Sequence, residues 1–254
     1  EFHRVVQGSQ GTMGIVNWIT LRTEIMPAVQ KTFLVGAGGP DDLLDYVYAV
    51  QRGLLGEQSF ILNRSAAGLI LCGGDANMYE EIRASLPGYI CLQNIAGFER
   101  LPQEYLAYHK QDIERIAQQN QLRLETQIGK VSAAELLDKA THPCGETDWR
   151  DQLRGASLSV FFQSTLDRMP SFIKIFVETA SGFGIPEAEI GVYIQPMVQN
   201  HLCHIDLMIP IDPGLPEEVN RMFDLERQAT SRLMQAGAFF SRPYGSAAEL
   251  GWDQ

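Results

Sequence analysis

Apolar positions along this chain recur with two spacings that trade places in a regular order. Residues 14–25, rich in β-branched and aromatic side chains, predict a strand that ends at Met26-Pro27, where proline withholds a backbone donor. Residues 31–37 predict another strand. The turn Gly38-Gly39-Pro40 then leads to Asp41-Asp42, which suit the positive end of a helix. In that helix Leu43, Leu44, Val47 and Val50 share one face, and Gly53 is its stop. Two apolar runs follow at 59–62 and 68–72, closed by Cys72-Gly73-Gly74. Helical spacing then predicts a helix over 77–85, a strand over 89–95, and a longer helix from Pro102 to about Asn120 carrying Leu106, His109, Ile113 and Ile116.

A strand at 122–128, a short helix at 132–140 and a loop at 141–155 complete the first half. The second half repeats the grammar: a strand at 157–163, a helix near 170–181, and strands at 190–196 and 202–209. A long helix starts at Pro216-Glu217-Glu218 and stops at Gly237, with proline preorganised for the first turn. The closing segment from Phe239 to Gln254 reads as irregular. Strand–helix–strand modules with partly alternating strands predict an α+β fold rather than a doubly wound sheet. The expected form is ferredoxin-like, with antiparallel sheets and helices on one face. No exact repeat or low-complexity linker divides the chain, so the halves are expected to form one compact unit.

Composition narrows the function classes. The 254 residues carry 31 acidic against 20 basic side chains, a net charge of −11, which repels a phosphate backbone or an anionic membrane and argues against nucleic-acid partners. No apolar run reaches the ~18 residues of a membrane span. The four cysteines (Cys72, Cys91, Cys144 and Cys203) show no CxxC spacing and read as reduced, packed thiols of a cytoplasmic protein. The chain opens Glu1-Phe2-His3 and by residue 8 is inside a motif, which reads as a piece of a longer polypeptide.

P-loop, HExxH and GxSxG patterns are all missing, so the sequence holds no complete active site of those kinds. Its one sharp motif is Gly8-Ser9-Gln10-Gly11-Thr12-Met13-Gly14-Ile15-Val16. Three glycines in seven positions let a backbone come close to a bulky partner, and the hydroxyls of Ser9 and Thr12 suit a phosphate, a ribityl chain or a neighbouring amide. By spacing alone, a tight turn before a strand is the preferred reading.

This segment resembles the GS-x-GT-x-GI stretch of FAD-linked oxidases of the vanillyl-alcohol oxidase / p-cresol methylhydroxylase superfamily, which includes D-lactate dehydrogenases and glycolate oxidase subunits. There it closes the flavin domain and lines the flavin. The order of elements that follows is similar to their C-terminal substrate domain. So is the chain's end, with Tyr193-Ile-Gln-Pro196, Cys203-His204-Ile-Asp206, a long helix, and Gly237 to Gly245. The resemblance implies that residues 1–26 are the tail of a flavin domain, with its last strand or strands, and that 27–254 are the substrate domain. FAD would be held mainly by an upstream domain or subunit, and locally by Gly8, Ser9, Gly11, Thr12, Gly14 and Ile15. The substrate would be a small hydroxylated compound, a phenolic alcohol or a 2-hydroxy acid, oxidised by hydride transfer to flavin. The electron acceptor is unspecified, and self-association is left open.

Hydroxy-acid members pair two metal-binding histidines with an acidic ligand. Here His204 matches the second histidine, Gln195 stands at the first, and Arg242-Pro243-Tyr244-Gly245 replaces the acidic partner, so no metal is expected. The resemblance makes His204, Arg242 and Tyr244 the catalytic candidates and Tyr193 and Gln195 the substrate-binding ones. Read alone, His204 is equally a satisfied sheet histidine, Arg242 and Tyr244 a surface turn, and Tyr193 and Gln195 packing residues. The rival reading is a noncatalytic ferredoxin-like assembly module that pairs with a separate flavoprotein chain.

Overall fold

The computed structural model describes residues 6, 9, 11–142, 147–197, 202–241 and 245–252. Gly8, Arg242 and Tyr244 lie outside the described residues. Strand β1 (Val29–Ala37) buries Phe33, Leu34 and Val35. A 3-10 turn (Asp41–Leu43) leads into α1 (Leu44–Arg52), whose Tyr46, Val47 and Val50 face the core. Strand β2 (Gln58–Asn63) runs directly into α2 (Arg64–Leu71), followed by α3 (Ala76–Ser85) and β3 (Tyr89–Gly97). Helix α4 (Pro102–Gln119) is followed by β4 (Leu124–Glu125), the small β5 (Gln127–Ile128) and β6 (Val131–Ser132) pair, and α5 (Ala133–Thr141). The second half holds β7 (Ala156–Ser164), α6 (Met169–Gly182), β8 (Gly191–Pro196), β9 (Cys203–Ile211), α7 (Pro216–Gln235) and α8 (Ser246–Trp252). Proline stands in the first turn of α4, α6 and α7, where its missing N–H costs nothing.

Seven strands make one sheet in the order β4-β1-β3-β2-β8-β9-β7, and every adjacent pair is antiparallel. This is the expected α+β architecture. It contains a repeat that the sequence hides. Within the first half the order β4-β1-β3-β2 is a split β-α-β unit. In the second half β7, β9 and β8 take the places of β1, β3 and β2. The place of β4 is filled by Phe239, whose N–H and C=O bond the backbone of Gln163 at 3.0 and 2.8 Å.

Even the register repeats. Val29↔Gly97 on β1 and β3 corresponds to Ala156↔Ile211 on β7 and β9, and Asn63↔Tyr89 corresponds to Pro196↔Cys203. The halves join through Ile61↔Ile194 and Leu62↔Tyr193. Ile61 and Ile194 are each other's counterparts, so a pseudo-two-fold axis passes between them. The seam is stitched at one end by Asn63. Its Oδ1 accepts from Val192 N and, as the α2 cap, from Ala66 N, both at 2.9 Å, and its Nδ2 donates to Ile190 O at 2.7 Å.

One face of the sheet carries α1, α4, α6 and α7 over a single cluster that includes Phe33, Cys91, Ile61, Ile194, Ile205 and Phe162. The expectation of helices on one face alone is corrected here: the other face is covered too, over the first half, because Leu34, Phe60, Ile90 and Leu92 make that face apolar as well. There α2, α3 and α5 pack Ala66, Ile70, Ile82 and Leu136 on Leu34, Phe60, Ile90 and Leu92. Helix α2 is buried from Ser65 to Leu71, so its apolar run carries no amphipathic period.

Three local expectations change. Residues 14–25 form no strand: Ile15, Trp18, Ile19, Leu21 and Ile25 are exposed, because β composition makes a strand only beside a partner edge and no described strand pairs with them. The strand expected at 122–128 breaks into β4 and β5. The closing segment, expected to be irregular, contains α8.

Candidate active site

On the second half the inner cover stops short. The loop that brings Trp149 and Arg150 to the sheet and the edge of α2 overlie Tyr193 and Met208, and the lower ends of β7, β8 and β9 are left open. Strand alternation then sets which side chains face this opening. Cys203 and Ile205 turn to the helix-covered core, while His204 and Asp206 turn the other way. His204 lies directly opposite Gln163 on β7 and Gln195 on β8. Its ring stands 5.7 Å from Phe161 and 6.3 Å, edge-on, from Tyr193. The Tyr193 hydroxyl donates to Gln195 Oε1 at 3.0 Å. The three sequence candidates His204, Tyr193 and Gln195 therefore come together.

Two clefts meet at these residues. The larger, about 770 Å³, lies where the first residues of β2 and the last of β8 diverge, with Gln58, Ser59, Gln163, Gln195 and His204 among its walls. The smaller, about 350 Å³, shares Gln58, Ser59, Gln195 and His204 and continues to Trp149 and Arg150. Pro196 lacks an N–H, which helps to end the pairing of β8 with β2 and open this gap.

Asp206, quoted in the motif but assigned no role, proves central to the electrostatics. It is only 2% exposed, accepts from Arg150 Nε at 3.2 Å and Nη2 at 3.0 Å, and accepts from Ser159 Oγ at 2.5 Å. Arg150 also reaches Asp148 and stacks its guanidinium 4.2 Å from the centre of the Trp149 ring. Burial is the main reason the Tyr193 phenol is pushed up to about 12; Asp206 raises it further and Arg150 opposes both. At neutral pH Tyr193 is thus a donor and not a phenolate. Arg150 and Ser159 were missed by sequence reasoning: Arg150 sits in a loop with no periodic signal, and Ser159 on a strand that reads as ordinary.

The repeat gives these residues a measure. The first half's positions Gly36, Ile90 and Leu62 correspond to Gln163, His204 and Gln195, and Leu34, Leu92 and Phe60 to Phe161, Asp206 and Tyr193.

Of the glycine segment, Thr12 is tied to a local turn, with its N–H and Oγ1 both donating to Ser9 O at 2.9 and 2.6 Å. Gly11 and Gly14 take φ of +82° and +137°, and a Cβ at either would meet no atom within 4 Å. Ile15 is 97% exposed. Among the described residues no three His, Cys, Asp or Glu side chains gather to hold a metal ion, and no helix is long and apolar enough to cross a membrane.

No protein-family model and no curated protein matches the sequence. Solved structures do match it. p-Cresol methylhydroxylase with substrate bound aligns at a TM-score of 0.62 and 12% identity, covering 85% of this chain and 46% of its own. A 4-ethylphenol oxidase from Gulosibacter chungangensis, in complex with isoeugenol, gives 0.67 and 12%, with the same coverage. An alkyldihydroxyacetonephosphate synthase gives 0.63 and 11% over 95% of this chain and 46% of its own. The chain thus spans about half the length of each of these proteins, and at such identities the likeness is one of fold. That fold is shared with p-cresol methylhydroxylase, the 4-ethylphenol oxidase and the alkyldihydroxyacetonephosphate synthase.

Proposed function

We propose that this chain is the substrate half of an FAD-dependent oxidoreductase that oxidises a small hydroxylated compound, a phenolic alcohol in preference to a 2-hydroxy acid. The observation that carries the reading is the polar set His204, Gln195 and Gln163, which line the larger cleft at sheet positions that the repeat fills with Ile90, Leu62 and Gly36. A few convergent polar groups in a cleft, where the same scaffold elsewhere takes apolar ones, suit a ligand. An assembly surface would favour apolar side chains here, which weakens the noncatalytic alternative.

Two further features support a phenol. Arg150, the one arginine or lysine among the described residues lining the two clefts, is already paired with Asp206 and Asp148, so its charge is compensated and a substrate carboxylate gains little there. Two of the structurally similar enzymes are named for the phenols p-cresol and 4-ethylphenol.

Flavin, when bound, supplies a hydride acceptor. The residues that would lie against it are Ser9, Gly11, Thr12, Gly14 and Ile15, together with Gly8. In this reading His204 takes the proton that the substrate hydroxyl gives up, while Gln195, held by Tyr193, orients that hydroxyl. Arg242 and Tyr244 follow the resemblance as further catalytic groups. Arg150 and Ser159 fix Asp206, which keeps the Trp149 wall in place.

The test compares visible absorption of this purified chain with that of the longest natural polypeptide containing it, followed by turnover of 4-ethylphenol with an artificial electron acceptor. A flavin band and turnover in the long form, both weakened when Gly11 is replaced by a bulky residue, are expected. A long form without flavin overturns the reading.

A further inference from the structure

The larger cleft does not end at His204. It runs past the diverging ends of β2 and β8 to Gln93 on β3, whose side chain is 1% exposed. Gln93 Nε2 donates to Leu55 O at 3.0 Å, but its Oε1 is buried with no donor among the described residues. Buried acceptors are rarely left so, and an exception needs an explanation. The neighbours do not provide one. Ser59, directly opposite on β2, has its Oγ 3.8 Å from Cys91 Sγ, and Phe33, opposite on β1, has nothing to donate. Gly56 holds the carboxamide in place from the other side, since a Cβ there would come within 2.0 Å of Gln93 Nε2.

We propose that Gln93 Oε1 is the far end of the ligand site and accepts a hydrogen bond from a hydroxyl or amide on the substrate's tail. The inference rests on the phenolic reading above and deepens it. Strands β3 and β9 are three positions apart in the sheet, roughly 14 Å at ordinary strand spacing. Gln93 shares the helix-covered side of the sheet with Cys91 and Phe33, whereas His204 faces the other side, so a ligand that touches both is longer than one substituted ring and passes through the gap where β2 and β8 diverge. Between them Leu55, Phe162, Pro196 and Met197 line the cleft beside Gln58, Ser59 and Gln195, so the connecting stretch offers an apolar path with polar groups along it. The ligand class is a phenol carrying an extended tail with a terminal donor.

Binding of unbranched 4-alkylphenols, from ethyl to hexyl, is compared with that of the same series ending in a hydroxyl, by titration calorimetry on the longest natural polypeptide. The terminal hydroxyl is expected to tighten binding about tenfold once the tail is long enough, and hardly at all in the short members. In Gln93→Met the terminal hydroxyl no longer tightens binding relative to the plain alkylphenol of the same length. Equal affinities at every length, or a gain that survives Gln93→Met, overturn the inference and leave the phenolic reading standing. Failure of both series to bind overturns that reading and this inference together. Should Gln93→Met not fold, Gln93→Asn, which keeps a carboxamide but draws its oxygen back, takes its place and is expected to lose the gain likewise.

Discussion

The two halves of this molecule share a scaffold down to strand register and differ on one face. On the helix-covered side the counterparts agree in character: Phe33 and Val160, Cys91 and Ile205, and Ile61 and Ile194 are all buried in one cluster. On the other side Leu34, Leu92 and Phe60 lie under α2, α3 and α5, whereas Phe161 and Tyr193 border open clefts and Asp206 is buried under Arg150. The first half uses its second face for stability, and the second half gives that face up. A buried ion pair contributes little net stability compared with packed apolar groups, so Asp206 and Arg150 are better explained by what they position than by what they hold together.

Alkaline pH probes what the halves have in common and carries the largest effect. Burial pushes Tyr89, Cys91, Tyr193 and Cys203 each up to about 12. In the unfolded chain these groups ionise from about pH 8.5 for thiols and 10 for phenols, so the unfolded state loses its protons first. Stability is therefore full below about pH 8.5 and falls as pH rises towards 12, by on the order of 10 kcal/mol in all. That is comparable to a whole domain's stability. Urea midpoints measured from pH 8 to 12 check this; a flat profile would contradict the burial of these four groups.

Exchanging counterparts separates the halves. Leu92→Asp puts a carboxylate with no cation beneath α2 and α5, and is expected to cost about 4 kcal/mol or more, enough to threaten folding. Asp206→Leu strands Arg150, which still has Asp148 and is partly exposed, and so should cost less, about 1–3 kcal/mol. Adding Arg150→Met to Asp206→Leu should recover most of that loss. Chemical denaturation of the three variants checks the ranking, and equal costs at Leu92 and Asp206 would erase the distinction between the two faces.

Most elements were legible because their signals are local. Leu43, Val47 and Val50 announce α1, and Pro216 and Gly237 bracket α7. Helix α2 was visible only as an apolar run, since a helix buried on all sides has no polar stripe. The internal repeat was invisible because its counterparts differ in chemistry: nothing in the letters aligns Ile90 with His204 until the ladders place them. The stretch 14–25 has strand composition but no partner, and composition cannot supply one. At the site, His204, Tyr193 and Gln195 could be found from spacing and resemblance. Arg150 and Ser159 could not, because their roles come from the fold bringing a loop and an edge strand to Asp206.

The seam between the halves offers a smaller effect. Asn63→Ala removes the cap of α2 and both bonds that stitch β2 to the segment entering β8, for about 2 kcal/mol. Because Ile190 and Val192 lose a partner at once, the loss should exceed that of Asp75→Ala, which removes only the α3 cap. Thermal melts of the two variants check this order.

The smallest change in stability tests the open face most directly. Tyr193→Phe keeps the ring against Phe60, 5.7 Å away, and deletes only the hydroxyl that donates to Gln195 Oε1. Gln195 is exposed and water can replace that donor, so stability should move by less than about 1 kcal/mol near neutral pH. Above pH 10 the sign favours the variant, because a phenylalanine has no proton to lose and the alkaline decline shrinks. If Gln195 orients a substrate hydroxyl, phenol binding by the natural polypeptide should weaken several-fold while the fold stays intact. The same substitution at Tyr89, on the helix-covered face, should reduce the alkaline decline without touching phenol binding. Matching effects at both tyrosines would mean that the two faces are not functionally distinct.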